Sequence, residues 1–153
     1  MRMIAAWVGV PSAESIFSLP LWLAGIGHFV VLIASFQVPR RLGWKEDLAK
    51  LTPFNRKLMW VHGGFTVLTI IAFGILILTL HDEFLSGDRA ALGIAAFIGV
   101  YWAARIAVDF TYYGHKDWPS GRGFVASHIL LTLLFFSLSA TNLSVLLWRA
   151  WLR

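Results

Sequence analysis

No cysteine occurs anywhere in the chain, which removes disulfides, thiolate metal ligands and thiol nucleophiles at once. Charge is scarce as well. Asp, Glu, Lys and Arg make up 14% of the 153 residues, against roughly 25% in an ordinary soluble domain. Internal repeats and low-complexity tracts are missing too. The apolar share is 58% and the mean hydropathy is +0.72. Water cannot solvate such a chain as a soluble domain, so the class is an integral membrane protein. The formal charge of +5 does not point to nucleic acid, because the basic residues gather beside apolar segments and form no exposed stripe.

Four apolar runs, residues 19–38, 58–80, 91–112 and 123–148, approach or exceed the about 20 residues that a bilayer crossing needs. Their boundaries carry the expected punctuation. Pro39 follows the first run, Thr52-Pro53 reads as N-cap and first helical position of the second, and Ser86-Gly87-Asp88 separates the second from the third. Trp118-Pro119-Ser120-Gly121 separates the third from the fourth. Short loops make neighbouring helices antiparallel. The expectation is an all-α integral membrane protein: one domain over 1–153, an up-down bundle of four transmembrane helices behind a short N-terminal interfacial segment. That segment, residues 1–18, holds an apolar stretch at 4–10 that lacks a clean small-x-small cleavage site. Residues 42–50 mix Trp44 and Leu48 with charges and predict a short amphipathic piece on the membrane surface, an ordinary anchor or a patch for lipid or a partner.

Lys and Arg near the helix ends set the orientation. One side carries Arg40, Arg41, Lys45, Lys50, Arg56, Lys57, Lys116 and Arg122; the other carries Arg2, Arg89, Arg149 and Arg153, with Asp82, Glu83 and Asp88. The imbalance predicts a bacterial-type inner membrane protein with both termini outside the cytoplasm and the two basic loops inside it.

Ionisable groups at membrane depth are costly and usually face a bundle interior or a wet cavity. Helical spacing groups Gly25, His28 and Ser35 on the first helix, and His62, Thr66 and Thr69 on the second. It groups Trp102, Arg105 and Asp109 on the third, and His128, Thr132 and Ser139 on the fourth, with Asn142 further along. At about 1.5 Å per residue, His62, His128, Asp109 and Arg105 all fall in the third of the membrane nearest the basic loops. His28 lies near the midplane, and His115 and Lys116 hang in the loop. His81, beside Asp82 and Glu83, is expected to be solvated, and Gly63-Gly64 to permit close helix contact or the approach of a flat cofactor. Most tryptophans fit an aromatic belt, with Trp22 and Trp102 deeper.

Three functions fit these residues. In the first, a haem b is held by axial imidazoles of His62 and His128, with Arg105 or loop cations near the propionates and His28 as a further cofactor-binding candidate; the chain would be a redox or electron-transfer subunit. In the second, a non-haem metal or proton-transfer site draws on His62, His128, Asp109 and His115, and the protein is an enzyme. In the third there is no chemistry: the histidines and the Arg105–Asp109 pair, at i,i+4, lock helices together in a structural or assembly subunit. The lipid bilayer is the expected partner throughout, with other membrane subunits or a second copy beside it.

Overall fold

The computed structural model of the chain describes residues 12–113 and 121–151. Helix α1, Ala13–Ser35, opens under a Ser12 cap whose Oγ accepts the Ser15 N–H at 3.1 Å. It begins ahead of the first apolar run, so the last part of the anticipated interfacial segment is helix, and Pro20 falls inside α1 without ending it. Two short helices follow, α2 (Val38–Arg41) and α3 (Trp44–Ala49), separated by Gly43 at φ 63°. They match the amphipathic piece read from the sequence, and neither buries a residue. Helix α4, Pro53–Thr79, starts where the Thr52-Pro53 signal puts it, with the Thr52 hydroxyl accepting the Asn55 N–H.

The short α5, His81–Ser86, ends at Gly87, whose φ of 81° only glycine adopts readily. Asp88 then caps α6, Arg89–Thr111, by accepting the N–H groups of Ala90 and Ala91 at 2.9 and 3.1 Å. Helix α7, Arg122–Trp151, completes the chain. Helices α1, α4, α6 and α7 are each long and apolar enough to cross a membrane. The protein is an all-α four-helix bundle of the multi-pass membrane type.

Between apolar helices in lipid there is little hydrophobic force, so close packing and hydrogen bonds must hold the bundle. Glycine supplies the closeness. Gly99 of α6 lies so near α7 that an added Cβ would come within 2.7 Å of Leu143, and Ser139 donates to the Gly99 carbonyl at 2.9 Å. Gly25 of α1 and Gly74 of α4 meet in the same way, with Phe29, Ile77 and Leu78 closing over them. Gly27 seats α1 against Leu134 and Leu138 of α7. Gly63 and Gly64, expected to serve such a contact, have nothing within 4 Å of a would-be Cβ. They sit on the part of α4 that has no neighbour to approach.

Around the ring the order is α1, α4, α6, α7. The side between α4 and α6 is the loosest. There the helices meet through rings, Phe73 reaching Phe97 and Tyr101 with centroids 5.8 and 5.1 Å apart. From Ile70 to Ile77, α4 is buried against α1. Nearer the basic end, Phe54, Met59, Trp60 and Phe65 are all exposed. That half of α4 stands clear of the bundle.

Candidate functional site

The middle of the bundle is built on Trp102, which stacks on Phe135 of α7 with ring centroids 4.7 Å apart. Its indole N–H donates to His28 Nε2 at 3.0 Å. The other nitrogen of His28, Nδ1, donates to the Ala24 carbonyl at 2.7 Å. These two bonds fix the tautomer and engage the whole imidazole, which is fully buried. His28 lies at mid-depth as expected, but as a bolt between α1 and α6. It is not turned towards the other candidate ligands.

About two helical turns nearer the basic end, a second polar cluster joins α6 to α7. Asp109, only 5% exposed, accepts from His128 Nε2 at 2.9 Å through Oδ2 and from Arg105 Nη1 at 3.4 Å through Oδ1. Arg105 and Asp109 meet because i,i+4 residues share a helix face. His128 meets them because α6 and α7 are antiparallel: from the Trp102–Phe135 stack, seven residues forward on one helix and seven back on the other reach Asp109 and His128. Arg105 also lies over the Tyr113 and Phe135 rings, its carbon 5.5 Å from each centroid. Phe124 stacks on His128. Arg105 and His128 remain 38% and 24% accessible, so the cluster is open to its surroundings although Asp109 itself is buried.

His62 is not part of this cluster. Thr69, Thr66 and His62 stand 4, 7 and 11 residues before Phe73 and so lie on the face of α4 that turns towards α6. The register through Phe73, Phe97 and Tyr101 brings His62 within about a turn of the Asp109 level. Yet His62 is exposed, and its ring has no hydrogen-bond or ionic partner among the described residues. The Thr66 and Thr69 hydroxyls bond back to the carbonyls of His62 and Phe65. His62 and His128 therefore stand within about a turn of the same level, but His62 is on α4 while His128, on α7, is turned to Asp109. His115 lies outside the described residues. Among those described, no three His, Asp or Glu side chains converge as a metal-binding group.

At the other end of the bundle, His81 departs from expectation. It is buried, with Nε2 3.2 Å from the Ser18 carbonyl and its ring 5.0 Å from that of Trp22. The short helix α5 folds it inward while Asp82, bonded to its Nδ1, stays in solvent. Trp22 is 45% exposed. Asn142, read from the sequence as the continuation of the polar face of α7, is fully buried, and its Nδ2 donates to the Leu138 carbonyl. No protein-family model, curated protein or solved structure matches the chain.

Proposed function

We propose that this chain is a small structural or assembly subunit of a larger membrane complex, its polar residues serving to hold its own helices in register. The observation that carries the reading is the pairing of two buried polar groups, Asp109 and His28, across helices. Both oxygens of Asp109 and both nitrogens of His28 are engaged, and each set of bonds ties two different helices. Inside a membrane such bonds fix helix pairing without any chemistry at the bonded atoms. The basic loops belong in the cytoplasm of a bacterial-type cell and both termini outside it. A single cysteine placed at Ser86 should react with an impermeant reagent in intact cells, whereas one at Gly43 should not; the reverse pattern would invert the topology.

A haem b or metal reading retains one supporting observation, the unbonded His62 facing α6 at nearly the depth of His128. As the residues stand, they do not fit an axial pair, because the His128 nitrogen that would take iron is donating to Asp109. An absorption spectrum and metal analysis of detergent-purified protein decide the matter. The structural reading expects no Soret band and no stoichiometric metal. A Soret band that His62→Ala abolishes would replace it with the cofactor reading.

A further inference from the structure

We infer that the opening between the basic halves of α4 and α6 is a binding slot for one anionic phospholipid, its phosphate held between His62 and Arg105. The inference stands whether or not the chain is a structural subunit. In a bilayer an opening between two helices does not stay empty, so the question is what its walls select.

The walls are short of acceptors. Asp109 is the carboxylate at this depth, and its two oxygens are already taken by Arg105 and His128. The threonine hydroxyls on the α4 wall donate to their own helix. Donors are in surplus. Arg105 offers one nitrogen to Asp109, keeps the rest of a part-exposed guanidinium, and finds no second acceptor among the described residues. The His62 ring is unengaged, and the Tyr101 hydroxyl has no partner among the described residues.

A ligand that completes these groups must bring acceptor oxygens, and a negative charge suits the guanidinium best. Depth narrows the choice. His62 and Arg105 lie roughly 6 and 10 Å inside their apolar runs, within reach of a headgroup that the bilayer lets sink between helices. Above them the opening closes where Phe73 meets Phe97 and Tyr101, and the exposed Phe97 beside that contact offers an apolar surface to an acyl chain. The short helices α2 and α3 and the start of α4 add Arg40, Arg41, Lys45, Arg56 and Lys57 against Glu46, while Lys50 is already paired with Asp47 at 2.7 Å. That surplus of positive charge draws anionic lipid towards the slot's end of the molecule.

The test is native mass spectrometry of the full chain from mixed micelles holding equal amounts of phosphatidylglycerol and phosphatidylcholine. The wild type should retain one phosphatidylglycerol, preferred about tenfold or more over phosphatidylcholine. His62→Leu should lower retention of phosphatidylglycerol about tenfold, as the loss of one hydrogen bond to a charged group predicts, and Arg105→Gln should lower it further. Arg40→Gln with Arg41→Gln should leave it nearly unchanged, because those residues attract lipid without holding it. His62 is exposed and unbonded, so His62→Leu keeps the fold and decides the matter alone should Arg105→Gln unfold. Equal retention of the two lipids by the wild type would overturn the inference. So would retention that follows Arg40 and Arg41 instead of His62 and Arg105, or retention of a neutral quinone in place of phospholipid.

Discussion

Replacing Asp109 by Asn keeps the shape of the side chain and removes its charge, which isolates the electrostatic part of the α6–α7 lock. The His128 contact, at 2.9 Å to a carboxylate that is only 5% exposed, has the geometry of a full charge-assisted hydrogen bond. The Arg105 contact, at 3.4 Å with an arginine 38% exposed, is longer and better screened. Measured couplings between polar groups inside membranes average about 0.6 kcal/mol and reach about 1.7. The first pair therefore belongs near the top of that range, and the second near or below its mean. Asp109→Asn also leaves the Arg105 cation without its anion, a cost that its partial exposure reduces. The single change should destabilise the fold by about 2–3 kcal/mol. In double-mutant cycles with His128→Gln and Arg105→Gln, followed by SDS-driven unfolding in mixed micelles, Asp109 should couple to His128 by about 1.5 kcal/mol and to Arg105 by about 0.5. Couplings in the opposite order, or effects that simply add, would refute the reasoning from distance and burial.

Trp102→Phe should keep the stack on Phe135 but leave His28 Nε2 buried without a donor, costing about 1–3 kcal/mol in the same unfolding assay. Adding His28→Leu to that variant should recover part of the loss, since both polar partners are then gone. Glycine substitutions should divide sharply by position. Gly74→Ala places a methyl 2.8 Å from Phe29 and 3.2 Å from the Gly25 carbonyl and should cost about 1–3 kcal/mol. Gly63→Ala meets nothing and should be neutral or gain up to about 1 kcal/mol from helix propensity.

The four spans were legible because lipid leaves a chain so little choice: a run of apolar residues about 20 long must be helical. Caps were legible for a similar reason, Thr52-Pro53 and Gly87-Asp88 being read from chemistry that acts within a few residues. The start of α1 was not, because a Ser12 cap and Glu14 extend the helix through residues whose hydropathy gives no sign of it. The site was legible in part. Arg105 and Asp109 pair as their spacing requires, and the depth of His128 put it near them. Depth gives no azimuth, however. Nothing in the sequence says that His128 turns to Asp109 while His62 turns to an opening, since that depends on how far α4 leans from α6. The burial of His81 was hidden for a related reason: the fold of α5 back onto Ser18 joins residues 63 positions apart.

The location of Asp109's partner has a consequence for how the protein is made. During synthesis α6 emerges before α7, carrying Arg105 and Asp109, while His128 is still to be translated. Each charge costs about 2.5–3.5 kcal/mol at the centre of an inserting helix and less towards its end. Helix α6 alone therefore enters lipid with half of its polar pairing unmade. In the α6–α7 hairpin the Ser139–Gly99 bond and the close glycine contact are available as soon as α7 appears. Insertion of the two helices as a unit lets His128 reach Asp109 before the carboxylate faces hydrocarbon. A ribosome stalled between them would hold a helix poised at the translocon, waiting for its partner.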